Sequence, residues 1–211
     1  MGFLDIIKKR NVNGGGEVAA TPAENESVSA HHYAGLELAG RGLYAEALKE
    51  FKQAAREQPA SAEAQFNVGV TYGELGRFPE AVKAYKEALR LDPTYTEALN
   101  NMGMAYSSLA QHVEAVKALL HAIRIRPDYV QTYNNLGMAY FNCGAYSEAI
   151  RACTKALRLD PDFLDAHYSL GLIYIDLKEK QQALAEYQVL ESADKELALE
   201  LLNKIDRAFL R

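Results

Sequence analysis

The side chains of this 211-residue chain best suited to chemistry are five histidines, two cysteines and a set of asparagines that recur at fixed spacing. His31 and His32 are neighbours, so on a helix they point about 100° apart and do not converge on one metal ion. His112, His121 and His167 have no acidic or cysteine partner at ligand spacing, and all five are read as structural or surface residues. Cys143 and Cys153 are too few for a disulfide framework or a thiolate metal site and are read as reduced core residues. The sequence holds no P-loop, no GxGxxG, no HExxH and no CxxC, and Gly14-Gly15-Gly16 follows no strand. An active site needs several perturbed groups that converge. None is visible, so neither enzyme activity nor a cofactor or metal is expected. The asparagines remain: Asn67, Asn101 and Asn135, with Asn100 and Asn134 beside two of them. A carboxamide both donates and accepts, so it can pair with the N–H and C=O of a peptide backbone whatever that peptide's side chains.

The three leading asparagines lie 34 residues apart, and so do Pro59, Pro93, Pro127 and Pro161. A fixed period of this length marks a repeat architecture. With residue 28 as position one, five units follow: 28–61, 62–95, 96–129, 130–163 and 164–197. Position eight is always glycine (Gly35, Gly69, Gly103, Gly137, Gly171) and position twenty always alanine (Ala47, Ala81, Ala115, Ala149, Ala183). Position eleven reads Leu38, Tyr72, Tyr106, Tyr140, Tyr174. Apolar residues follow helical spacing twice in each unit, with a turn such as Leu75-Gly76-Arg77 between. Each unit is therefore a helical hairpin. Small residues at eight and twenty let its two helices approach closely, and proline at thirty-two ends the second helix. Stacked hairpins bury a continuous core and need a polar outer face at their ends. Leu197, Leu201, Leu202, Ile205 and Phe209 form one apolar stripe, which predicts a capping helix over 195–211.

Small-Gly at seven and eight, Tyr at eleven, Ala at twenty and twenty-seven, and Pro at thirty-two together resemble the tetratricopeptide repeat. The resemblance spans about four fifths of the chain. It departs at position four, where His31, Gln65, Leu99, Tyr133 and His167 replace the family's Trp, and at Lys195, which replaces the fifth proline. It implies an all-α, right-handed α-α superhelix of five hairpins plus the cap. It further implies that first-helix positions two, five, nine, twelve and thirteen, with six close by, face the inside of the superhelix. There the asparagine column is similar to the ladder of the O-linked N-acetylglucosamine transferase repeats. Phe66, Val70, Met104, Met138, Phe141, Tyr168 and Leu172 would stand round it as exposed apolar patches, which mark binding surfaces. A peptide-binding groove for a protein or peptide partner is the expected function, in a non-catalytic scaffold.

Charge narrows the partner. The five first helices contain no Lys or Arg and carry Glu37, Glu63, Glu74, Glu97, Asp165 and Asp176. The chaperone-tail class of these repeats grips a terminal carboxylate with cations on those helices, so the partner expected here is instead an extended segment, apolar to mildly basic. Basic residues keep to the second helices: Lys49, Lys83, Lys117 and Arg151 at position twenty-two, Arg56, Arg90, Arg124 and Arg158 at twenty-nine, with Glu at nineteen. That order satisfies helix dipoles and i,i+3 pairs, so the basic rows are read as structural. A net charge of −5 gives no general reason to bind nucleic acid. Residues 1–27 carry no periodicity and are read as a flexible tail. Within it, residues 2–10 make a short amphipathic segment, Phe3, Ile6 and Ile7 on one face and Lys8-Lys9-Arg10 following. Contact of that segment with a membrane, with a partner, or with a second copy in a homo-oligomer stays open. A cytoplasmic location is the expectation, there being no apolar run long enough for a membrane helix or secretory core.

Overall fold

A computed structural model describes residues 29–209, and the tail 1–27 with its amphipathic segment lies outside them. Every element among the described residues is a helix: α1 (Ala30–Gly40), α2 (Tyr44–Glu57), α3 (Ala62–Glu74), α4 (Phe78–Leu91), α5 (Thr96–Ser108), α6 (His112–Ile125), α7 (Val130–Asn142), α8 (Tyr146–Leu159), α9 (Leu164–Asp176), α10 (Lys180–Ala193) and α11 (Lys195–Phe209). The odd-numbered helices α1 to α9 are the first helices of the five repeats. The chain divides into two compact units whose boundary in sequence falls between Leu109 and Ala110. In the first unit α1 pairs with α2 and α3 with α4, while α2 packs on α3 and α4 on α5. In the second unit each helix from α6 to α11 packs on the next, and α11 also reaches back to α9.

The turns explain why the hairpins recur. Each first helix ends in a residue of positive φ at position fifteen: Gly42 (76°), Gly76 (69°) and Gly144 (74°), but Ala110 (55°) and Lys178 (64°) in the third and fifth repeats. Glycine takes this conformation freely, whereas an L side chain there costs about 1–2 kcal/mol. The reversed chain is tied back, as where Arg77 N donates to Tyr72 O at 2.8 Å and Ala145 N to Tyr140 O at 2.9 Å. The residue just before each proline, Gln58, Asp92, Arg126 or Asp160, caps the C-terminus of a second helix. Lys195 replaces the fifth proline, and there Asp194 breaks the helix and caps the next one, its Oδ1 accepting from Glu196 N and Leu197 N, both at 3.0 Å.

The small columns make the close approach that their size allows. The position-twenty alanines Ala47, Ala81, Ala115, Ala149 and Ala183 are wholly buried. A Cβ on Gly35 would lie 2.7 Å from the Phe51 ring, one on Gly69 2.6 Å from the Tyr85 ring, and one on Gly137 2.3 Å from Cys153 Sγ. Each of those three glycines thus receives the position-twenty-four side chain of its own hairpin. Gly171 departs from the pattern, because its contact is Leu201 of α11, 2.6 Å from the would-be Cβ. Leu201 and Ile205 are wholly buried against α9 and α10, so the predicted cap helix is a core element of the second unit.

Candidate functional site

Each leading asparagine sits midway along a first helix, Asn67 on α3, Asn101 on α5 and Asn135 on α7. The sequence predicts an exposed column, and the first unit differs from that. Asn67 is 3% exposed and Asn101 0%, whereas Asn135 in the second unit is half-buried. Asn67 Nδ2 lies 3.5 Å from His32 Nδ1, and its backbone carbonyl accepts from Thr71 Oγ1 at 2.7 Å. Asn100 Nδ2 donates to Asn101 Oδ1 at 3.2 Å. That leaves Asn101 Nδ2 buried without a hydrogen-bond partner. The nearby Tyr85 hydroxyl is fully buried, and burial pushes it well above the usual phenol range while the Asn101 carboxamide pulls the other way. The Tyr85 hydroxyl, like Asn101 Nδ2, has no hydrogen-bond partner. Asn134 is buried too, its Oδ1 3.9 Å from Cys153 Sγ. The position-five asparagines Asn100 and Asn134 therefore face the interior.

The apolar companions divide in the same way. Phe66 and Val70 are buried, not exposed, because the Phe66 ring packs 4.9 Å from that of Tyr95 and 5.9 Å from that of Tyr85. Met104 is half-buried against the same core. In the second unit Met138 and Phe141 are half-buried, Phe141 at 5.9 Å from the Tyr146 ring. Tyr168 and Leu172 pack against the cluster of Leu201 and Ile205, and the Tyr168 hydroxyl donates to Glu200 of α11. Burial first, then the Glu200 carboxylate, raises that phenol's pKa. The cap helix thus engages two residues that the sequence placed in the groove.

Polar chemistry elsewhere serves the hairpins. His31 Nδ1 donates to Glu50 Oε2 at 2.6 Å, with Glu57 at 3.4 Å from the other ring nitrogen. The bond to Glu50 holds the His31 pKa above its ordinary value. His167 Nδ1 likewise donates to Glu186 Oε2 at 2.6 Å, and its Nε2 lies 3.3 Å from Pro161 O. Both pairs join position four to position twenty-three. The sequence carries their signal: Glu occupies position twenty-three where His occupies four, and Ala84, Ala118 and Ala152 occupy it elsewhere. Tyr133, at position four of the fourth repeat, donates to Pro127 O at 3.0 Å, so the column that lost its Trp still ties down the preceding turn. Cys153 is buried and its thiol is pushed up to about 12 by burial, with Glu186 adding to the effect. Cys143 is exposed, not in the core.

Two members of the basic rows pair in the order the charge pattern predicts. Lys117 pairs with Glu114 at 3.7 Å and Arg151 with Glu148 at 3.0 Å, which are position twenty-two with nineteen. Lys52 lies 4.9 Å over the Tyr72 ring and Arg77 4.7 Å from it. A cavity of about 320 Å³ between α2 and α3 is lined by Lys52, Ala55, Arg56, Gln65 and Val68. Among the described residues no group of His, Cys, Asp and Glu could hold a metal ion, and no helix is long and apolar enough to cross a membrane.

Tetratricopeptide-repeat family models match residues 34–96, 74–136, 130–163 and 164–197, so the chain belongs to the tetratricopeptide repeat family. No curated protein matches it. Among solved structures it is similar to MamA, residues 41 to the end, from Desulfovibrio magneticus RS-1 (25% identity, TM-score 0.71, 81% of this chain and 98% of that one). It is also similar to TTC0263, a thermophilic TPR protein of Thermus thermophilus (26% identity, TM-score 0.71, 86% and 98%). PilF of Pseudomonas aeruginosa shares the fold at 20% identity (TM-score 0.72, 89% and 94%). Family and fold together define a protein-interaction scaffold.

Proposed function

We propose that the scaffold binds an extended, apolar to mildly basic peptide segment along its first-helix faces, and that Asn135, the half-exposed member of the asparagine column, grips the segment's backbone. The observation that carries this reading is the pairing of a repeated carboxamide with the complete absence of Lys and Arg from the first helices. An extended chain advances ~3.3 Å per residue, and packed helices lie ~8–10 Å apart. On that spacing a first helix meets about every third ligand residue, and Asn135 is the leading asparagine left half-exposed to do so. In the second unit the half-exposed Asn135, Met138 and Phe141 supply a mixed polar and apolar wall on α7, and methionine adapts to varied side chains. The acidic tilt disfavours a terminal carboxylate and favours Lys or Arg in the ligand.

A display library of twelve-residue segments tests it. Selected segments should be apolar with scattered Lys and Arg. Each neutral hydrogen bond contributes roughly 0.5–1.5 kcal/mol net. Asn135→Ala should then cost the selected peptides about 1 kcal/mol, or ~5-fold in affinity, with far-UV helicity and melting nearly unchanged. Selection of acidic carboxyl-terminal segments, or undiminished affinity in Asn135→Ala, refutes the reading.

A further inference from the structure

Successive repeats meet where a second helix packs on the next first helix, α2 on α3, α4 on α5, α6 on α7 and α8 on α9. At positions twenty-eight and seven the later junctions carry Leu89 with Met102, Ile123 with Leu136 and Leu157 with Leu170. The first carries the smaller Ala55 with Val68, and there a cavity of about 320 Å³ opens between α2 and α3. Its other walls are Lys52, Arg56 and Gln65. The two cations lack the clamp seen one repeat later, where Glu87 holds Arg90, the counterpart of Arg56, at 2.7 Å. Gln53 stands in the place of Glu87 and donates to Glu57 at 3.1 Å, a carboxylate already engaged by Ser29 and His31. Among the described residues neither Lys52 nor Arg56 has a carboxylate partner; Lys52 rests 4.9 Å over the Tyr72 ring. We propose that this cavity binds a phosphate monoester carried on a side chain of a partner protein.

Charge, donors and size select that occupant. A phosphate monoester carries about −1.5 to −2 at pH 7 and three acceptor oxygens, which two cations neutralise; a carboxylate offers one charge and two oxygens. Arginine presents a planar fork and lysine a point charge, the pair of donors that phosphate recognition uses, and the Gln65 carboxamide supplies a third. Arg56 is exposed and Lys52 and Gln65 are half-buried, so the donors are reachable from solvent, while buried Ala55 and Val68 give an apolar wall for the stem that bears the phosphate. At about 320 Å³ the cavity stands at the small end of ligand pockets, ~300–1,000 Å³, with room for one side chain and none for an extended segment. The site is also distinct from the peptide face. At ~100° per residue, Gln65 and Val68 lie on the side of α3 opposite Phe66, Asn67 and Val70, so one partner's modified side chain and another's extended segment do not compete for the same surface.

The test is calorimetric titration of the full chain, in a buffer free of phosphate, with a short peptide bearing a central phosphotyrosine. The same peptide with tyrosine or glutamate at that place should bind at least ~10-fold more weakly, and inorganic phosphate should compete with the phosphopeptide. Lys52→Gln and Arg56→Gln should each weaken the phosphopeptide roughly tenfold or more, the loss of a hydrogen bond to a charged group. Ala55→Leu with Val68→Met gives the first junction the residues of the second, keeps both cations, and should abolish binding with far-UV helicity unchanged. Undiminished affinity in that filled variant shows a merely basic surface and overturns the cavity; equal affinity for the glutamate peptide overturns the phosphate. Should the filled variant fail to fold, Arg56→Gln, at an exposed position, still decides, and full affinity there overturns the site. Retention on vesicles containing phosphatidic acid without binding of the phosphopeptide assigns the cations to a membrane and overturns a protein partner. Asn135→Ala should leave phosphopeptide affinity unchanged, so this site and the backbone grip stand or fall separately.

Discussion

Replacing Gly137 by alanine places one methyl group in the tightest contact between α7 and α8. The new Cβ would lie 2.3 Å from Cys153 Sγ, 3.1 Å from Ala149 O and 3.4 Å from Cys153 N, against a relaxed carbon contact of about 3.5–4.0 Å. Two of those three atoms are backbone, so turning the thiol aside does not relieve the whole overlap and the helices must separate. Overpacking of this kind costs roughly 1–3 kcal/mol. Alanine returns about 0.5–1 kcal/mol through its better helix propensity. The expected net loss is about 1–2 kcal/mol, or a fall in Tm of roughly 2–8 °C at 2–4 °C per kcal/mol for a chain this long. Cys153→Ala removes the nearest clashing atom, so the double variant should be more stable than the sum of the singles by ~1 kcal/mol, outside the ~0.3–0.5 kcal/mol scatter of independent sites. Urea titration followed by circular dichroism measures all four corners of the cycle. Additive singles, or a Gly137→Ala protein more stable than the parent, would refute the account of position eight as a contact gap.

The His31–Glu50 contact raises the histidine's pKa above 6.5 in the folded chain. Its stabilising effect is therefore fully present below the unfolded value near 6.5 and is lost as pH rises through the raised folded value. Amide hydrogen exchange corrected for intrinsic rate should show α1 better protected at pH 6 than at pH 8, and Glu50→Gln should flatten the difference; greater protection at pH 8 contradicts it. With its thiol pushed up to about 12 and buried, Cys153 should resist a thiol reagent at pH 8 while Cys143 reacts. One thiol should titrate in the native chain and two in urea, and two native thiols would show the α7–α8 contact to be open.

Much of the fold is legible because each recurring column answers a distinct physical demand. Glycine at eight and alanine at twenty occur where helices nearly touch, and proline at thirty-two occurs where a helix must stop. The Lys117–Glu114 and Arg151–Glu148 pairs follow from acid and cation three residues apart. The binding face is less legible. A column of asparagines reads identically whether neighbours cover it or not, and the burial of Asn67 and Asn101 depends on what lies across them. Phe66 reads as a groove residue by position, but its ring is drawn into the core by Tyr85 and Tyr95. Tyr168 and Leu172 go to the cap helix, whose apolar stripe is plain in sequence while its seat on α9 is not. The His–Glu pairs were readable in principle, through the exchange of alanine for glutamate at position twenty-three wherever histidine stands at four.

The displaced contact of Gly171 bears on how this array can lengthen or shorten. Three of the glycines are filled from within their own hairpins, so those modules are self-sufficient and a duplication or excision of 34 residues among them leaves every notch occupied. The last glycine borrows Leu201 from beyond the repeat. The fifth hairpin and α11 are consequently one packing unit, and excising either without the other would leave a notch or a stripe uncovered.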